Sequence, residues 1–300
     1  MLYSNPRLIP ITHGNKRAWI YPEQGFQVHA FEQDMPNGAV AQVLCPVTTH
    51  LEPSNRHYGN PILFPNPGAV AGPIGKDSWT WKQKNLSMPS HGFARNTYWH
   101  TLEIHPDRVI GALYPNPETR LLFPFEFCCH ATYQLNETGL VLDFEVRNPG
   151  TESFPYALGF HPYFSTPLGP KGSVADCSLK LPKAIRVTSK DHFVTQAGQA
   201  YPETVVQANQ DIADSILLME SGALALHCVD HANGWTATVS SEGSSMDFPV
   251  WVVWSSSPEA PFICIEPWTD LPNALNRRET RFCPAGATHH YRLTISIRPS

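Results

Sequence analysis

Leu140-Val141-Leu142-Asp143-Phe144-Glu145-Val146-Arg147-Asn148 decides the fold class. Apolar and polar residues alternate almost throughout. That two-residue period belongs to a strand with one face in a core and the other in water, the usual state of an antiparallel sheet. Outward from this stretch the chain reads as one strand after another. Upstream, Ala18 to Tyr21, Phe26 to Phe31, Val40 to Val47, Ile62 to Pro65, Trp79 to Trp81, Leu121 to Phe127 and His130 to Asn136 are short apolar or alternating runs, broken by Gly, Pro and Asn clusters. Downstream, Leu179 to Thr188 predicts two short strands around a proline, and Ala197 to Ile212 a long excursion with one or two turns. Ser215 to Met219, Ala223 to Asp230, Trp235 to Ser240, Val250 to Ser255 and Tyr291 to Ile297 complete the series, with Asn233-Gly234 a hairpin turn. Long helical periodicity, internal repeats and a clear linker are missing. The expectation is an all-β chain, a large antiparallel β-sandwich spanning residues 1–300 as a single domain, with polar residues carried by loops at one rim.

Composition narrows the function. Three hundred residues can bury a large core, and the net charge of -5 is small. No basic run interleaved with aromatics points to nucleic acid, and no apolar run is long enough to span a bilayer. Residues Met1 to Arg17 lack a secretory pattern, and the seven cysteines are odd in number, irregularly spaced and mostly within apolar strands. They read as small core residues in a reducing compartment, which predicts a cytoplasmic protein. Cys128-Cys129 is too close to be a metal pair, and His289-His290 point to opposite faces of a strand. No metal site is expected among the fourteen histidines.

Two stretches carry chemistry. Ala157-Leu158-Gly159-Phe160-His161-Pro162-Tyr163-Phe164 places one histidine among apolar neighbours, and the following proline confines it to an extended backbone at a strand end. Phe262-Ile263-Cys264-Ile265-Glu266-Pro267-Trp268 carries one carboxylate out of an apolar run, again before proline. A carboxylate so placed is removed from water and needs a partner or a purpose. The dipeptides alone say little, since His105-Pro106 and Glu52-Pro53 repeat them with no apolar strand in front. Brought together, His161 and Glu266 make an acid and a base with little freedom between them.

Four motifs occur in the order and approximate spacing of one known family: Asn60-Pro61-Ile62-Leu63-Phe64-Pro65, His91-Gly92-Phe93-Ala94-Arg95, Gly159-Phe160-His161-Pro162-Tyr163-Phe164, and Ile265-Glu266-Pro267-Trp268-Thr269-Asp270 with Asn273-Ala274. From about residue 15 to residue 297 the sequence resembles the aldose 1-epimerase, or galactose mutarotase-like, family. The resemblance implies a large antiparallel sandwich with a sugar bound in a cleft of one sheet, and interconversion of the α and β anomers of a free aldose such as glucose or galactose. It assigns His161 as the acid that protonates the ring oxygen, Glu266 as the base at the anomeric hydroxyl, and His91 as a second histidine near the ring oxygen. Asp214 is its match to a sugar-binding aspartate, with Asp211 close by.

The chemistry asks for the same residue types. Opening a hemiacetal needs one proton taken from the anomeric oxygen and one given to the ring oxygen, with no nucleophile, redox cofactor or metal. A histidine suits the acid because both its forms are accessible near neutrality. Glycoside hydrolysis normally takes two carboxylates, whereas the motif-bearing strands offer one carboxylate and two histidines, with Asp214 as a candidate second acid that leaves hydrolysis disfavoured but open. One departure from the family matters: its members commonly carry an arginine where Ala69 follows Gly68. Either that contact is missing or Arg56 or Arg95 supplies it. His91 to Asn96 also resembles hexose-6-phosphate mutarotases, which leaves a phosphorylated substrate open, and the lost arginine leaves open a non-catalytic carbohydrate-binding protein. Trp79, Trp81, Trp99, Trp251, Trp254 and Trp268 could stack on a sugar, though most read as core. The expected partner is a small sugar, and the chain a monomer or homodimer.

Overall fold

The structure is a computed structural model that describes residues 7–46, 58–187, 189–190, 193–194, 198–208, 212, 216–244, 247–277 and 280–300. Two large antiparallel sheets dominate it. In the twelve-stranded sheet the spatial order is Ile9–His13, Lys16–Tyr21, Gln27–Asp34, Val40–Leu44, Tyr163–Ser165, Phe262–Trp268, Val250–Trp254, Ile216–Met219, Ala184–Val187 and Gln199–Tyr201, with Gly159–Phe160 bridging Phe262–Trp268 to Ile62–Leu63. The nine-stranded sheet runs His100–Ile104, Arg108–Leu113, Cys128–Leu135, Leu140–Arg147, Thr288–Pro299, Trp235–Ser241, Ala225–Asp230, Cys177–Leu181 and Thr204–Gln207. Leu140–Arg147 lies near its middle, where Leu140, Leu142, Phe144 and Val146 face the core and Asp143 and Glu145 do not. The expected sandwich is the observed one.

The core lies between the sheets. Phe26 meets Tyr133 at 5.7 Å between ring centroids, and Phe160 meets Phe144 at 5.7 Å. Strands of the larger sheet send alternate residues to two different apolar environments. Ile263 and Ile265 enter the sandwich core, whereas Phe262, Cys264, Glu266 and Trp268 turn to the other face. The same split divides Trp251 and Val253 from Val250, Val252 and Trp254, and Phe164 from Tyr163. Every side chain of Phe262–Trp268 is therefore buried, because the face that would meet water in a simple sandwich is the floor of a covered hollow.

One expected strand is not formed. Leu121 to Phe127 was to be extended, but Pro117–Leu122 is a short α-helix. Asn116 caps it: its Oδ1 accepts from the Thr119 amide at 2.8 Å, and its own amide donates to Thr119 Oγ1 at 2.9 Å. Pro117, at the first helical position, has the backbone angle a helix start needs and no amide to leave unsatisfied. Leu121, 75% exposed, points to solvent. Phe123, Phe125 and Phe127 follow as separate core anchors beyond the helix rather than as one strand. The turn at Asn233-Gly234 joins Ala225–Asp230 to Trp235–Ser241 as expected, and the excursion after residue 197 contains the strands Gln199–Tyr201 and Thr204–Gln207. Among the described residues no helix is long and apolar enough to cross a membrane.

Candidate active site

On the outer face of the larger sheet a cavity of about 340 Å³ is lined by His91, Arg95, His161, Glu266, Trp254 and Trp268, with Tyr58, Gly68, Ala69 and Tyr163 among its other walls. His161 directly follows the short strand Gly159–Phe160. Its amide donates to the Pro61 carbonyl and to Asn60 Oδ1, both at 3.1 Å, and the Tyr163 amide donates to the Gly59 carbonyl at 2.8 Å. The backbone is thus fixed on both sides of Pro162. The imidazole stacks on Tyr163, with 4.6 Å between centroids and 8° between planes.

Glu266 lies inside Phe262–Trp268, not at its end, since the strand continues through Pro267. A proline is tolerated in this central strand for a local reason. Ile265 and Thr269 both send their amides toward the segment containing His161, to Pro162 and Leu158 respectively. By the two-residue period the missing amide of Pro267 falls on that same side, where the neighbouring strand is interrupted between Phe160 and Tyr163. The carboxylate projects with Cys264 and Trp268. Its Oε1 is 3.3 Å from His161 Nε2, and its Oε2 accepts from the Trp268 indole nitrogen at 3.1 Å. Burial pushes the Glu266 carboxyl well above the usual carboxylate range, while the Trp268 bond and the Arg95 charge pull the other way. A proton can pass between the imidazole and the carboxyl, and each can exchange one with a bound molecule.

His91 sits on a loop held by the Asn60–Pro65 motif. The Phe64 carbonyl accepts from the amides of Phe93 and Ala94 at 3.0 and 3.1 Å. Gly92 allows that approach: its φ is +71°, and a Cβ there would lie 2.2 Å from the Phe64 oxygen. His91 itself has a left-handed backbone, φ 65°. Its amide donates to the Gly68 carbonyl at 2.7 Å, and its Nδ1 accepts from the Gly68 amide at 3.1 Å. With Nδ1 accepting, the ring proton belongs on Nε2, which makes His91 a hydrogen-bond donor. Its ring centroid is 5.5 Å from that of His161 and 5.9 Å from that of Trp268.

Ala69 lines the cavity, and Arg95 reaches it from the far end of the His91 loop. One terminal guanidinium nitrogen of Arg95 donates to the Ser90 carbonyl at 3.0 Å, and its Nε, buried, has no partner among the described residues. Desolvation lowers its pKa from the ordinary value, with Tyr163 and Glu266 opposing. Asn273 secures the loop in which the family arginine would have stood, accepting from the Ala71 amide at 3.0 Å. Of the residues named from sequence, the structure gathers His161, Glu266, His91 and Arg95 in one cavity, whereas Asp214, Asp211 and Arg56 lie outside the described residues. Trp79, Trp99 and Trp251 are core, while Trp254 and Trp268 are walls. Sequence reasoning missed Tyr163 and Cys264. Cys264 sits two residues from Glu266 on Phe262–Trp268, so period two alone puts it on the same face, and Tyr163 opens the next strand two residues after His161.

The fold is a large sandwich of two antiparallel sheets with a cavity on one of them, and comparison with known proteins gives its family. The chain belongs to the aldose 1-epimerase family, whose profile matches residues 7–296. It is 28% identical to the chromosomal protein LacX of Lactococcus lactis subsp. lactis over 230 residues, which is 72% of this chain and 75% of that protein. Among solved structures it is similar to a galactose mutarotase-like protein of Lactobacillus casei, with a TM-score of 0.81, 22% identity, and coverage of 97% of this chain and 100% of the other. A galactose mutarotase related enzyme of Lactobacillus acidophilus gives a TM-score of 0.83 at 20% identity, covering 97% of each chain.

Proposed function

We propose that this protein is an aldose 1-epimerase that interconverts the anomers of a free aldose, with His161 and Glu266 as its acid and base. The observation that carries the reading is the 3.3 Å separation of His161 Nε2 and Glu266 Oε1 at the wall of one cavity. The two oxygens that exchange protons in mutarotation, the anomeric hydroxyl and the ring oxygen, are bonded to the same carbon. A pair of groups serving both must stand side by side, as these do. Glu266 takes the proton of the anomeric hydroxyl, the bond from the anomeric carbon to the ring oxygen breaks, and His161 gives the ring oxygen a proton. The aldehyde end then rotates about its bond to the second carbon, and the reverse transfers close the other anomer. His91 donates from Nε2 to a sugar oxygen, Arg95 takes the place of the family arginine, and Trp254 and Trp268 bound the ring. Each positioned acid or base contributes about 10²- to 10⁴-fold.

Arg95 supports a second reading, a sugar bearing a phosphate, because a guanidinium at the cavity wall suits an anion as well as a hydroxyl pair. NMR exchange spectroscopy on glucose, galactose and glucose 6-phosphate separates the readings. Acceleration of the neutral sugars, lost in His161→Ala and in Glu266→Gln, supports the first. Acceleration confined to the phosphate ester and lost in Arg95→Ala supports the second. Exchange no faster than buffer for all three, with binding retained, would make the protein a carbohydrate binder.

A further inference from the structure

Beneath the acid/base pair lies a third donor that mutarotation does not use. Cys264 occupies the same face of Phe262–Trp268 as Glu266, and one ligand atom each from His161, Cys264 and Glu266 lies within 4.8 Å of the other two. All three side chains are buried. Among the described residues no other group of three histidine, cysteine or acidic side chains is so disposed. An imidazole nitrogen, a sulfur and a carboxylate oxygen form a donor set suited to a borderline-soft cation of the zinc type and poorly suited to magnesium or calcium. The His161–Glu266 edge of the triangle is already 3.3 Å. The three atoms are thus near enough together for one ion to reach all of them with modest side-chain adjustment, and His161 and Glu266 also line the cavity.

We propose that His161 Nε2, Cys264 Sγ and a Glu266 oxygen form a binding site for Zn²⁺ or a cation of that class, and that the ion shuts off the acid/base pair by occupying both partners. Binding takes up the imidazole lone pair and the carboxylate, so the one proton that the His161–Glu266 pair holds is released to solvent together with the proton of the thiol, which binds as thiolate. The inhibitory half rests on the mutarotase reading; the site itself does not.

Co²⁺ serves as the spectroscopic probe and Zn²⁺ as the calorimetric one, both with the full chain. One equivalent of Co²⁺ gives a thiolate-to-cobalt charge-transfer band, and Zn²⁺ binds with 1:1 stoichiometry and displaces it. Cys264→Ala abolishes the band, and Cys264→Ala and His161→Gln each weaken Zn²⁺ binding at least tenfold. Using two variants guards against one that fails to fold. No band in the wild type, or undiminished Zn²⁺ affinity in both folded variants, overturns the site. In the exchange assay, one equivalent of Zn²⁺ stops anomer exchange and a chelator restores it. Exchange that persists in the Zn²⁺-loaded protein overturns the inhibitory half. A cobalt band in a protein whose metal-free form accelerates no sugar leaves the site standing and removes the mutarotase reading.

Discussion

Glu266 holds its carboxyl in an apolar wall where the charged form is costly, and Trp268 supplies a hydrogen bond that favours that charged form. In the proposed reaction the carboxylate is the form that accepts the anomeric proton. Activity therefore falls as pH drops through a value above the ordinary glutamate range, and Trp268→Phe, which removes the bond, moves this acid limb to still higher pH. Exchange rates measured against pH check both statements; a limb at the ordinary carboxylate value, or one unmoved in the variant, contradicts them. His29 makes a matching statement about stability. Burial pulls it down from 6.5 to about 4, so the folded state favours its neutral form. The stability this confers is complete above pH 6.5 and is lost as pH falls from there toward 4. His29→Gln should therefore lose about 3 kcal/mol less than the wild type between pH 7 and pH 4, read from urea unfolding at the two pH values. From sequence, Glu266 was recognisable because a lone carboxylate in a run of Phe, Ile and Cys requires an explanation. His29 and Cys264 were not, because neither residue type is unusual in a strand.

At the level of elements, the proposed acid and base stand where strand pairing is interrupted. The break between Gly159–Phe160 and Tyr163–Ser165 presents His161, and the proline in Phe262–Trp268 sits opposite that break. The dipeptides His-Pro and Glu-Pro were legible, but a strand running on through Pro267 was not, because that depends on which side of the ladder the missing amide faces. The helix Pro117–Leu122 shows the opposite failure. Its apolar run suggested a strand, while the capping residue and proline in front of it carried the decisive information. Asn116→Ala removes the side chain that accepts from Thr119 and should cost about 1 kcal/mol in urea unfolding, with sugar exchange unchanged. A value near zero would mean that the aromatic anchors after the helix hold this segment without the cap.

Across the whole molecule, the larger sheet has two buried faces of different character. Ile263 faces the sandwich core and is completely buried, whereas Leu217 borders the cavity on the other face. Ile263→Ala leaves a void in a close-packed interior and should cost about 2–5 kcal/mol. Leu217→Ala enlarges a hollow that already exists, so it should cost less and act chiefly on sugar affinity. Urea unfolding of the two variants, with binding measured alongside, decides whether the faces divide stability and function in this way.

The sequence by itself determined the two-sheet architecture, because a two-residue alternation repeated from strand to strand has one cooperative solution: stacked sheets with the apolar faces inward. It also determined which side chains are chemically costly to bury, and so singled out His161 and Glu266. The tertiary structure alone decided that these two residues, more than a hundred positions apart, meet at 3.3 Å. It likewise decided that Arg95 and Ala69 line the same cavity and that the Cys264 thiol lies within 4.8 Å of the pair. The physical reason is that a local pattern fixes which face of a strand a residue occupies, whereas distance between strands depends on register and strand order, which are set only when the whole sheet assembles.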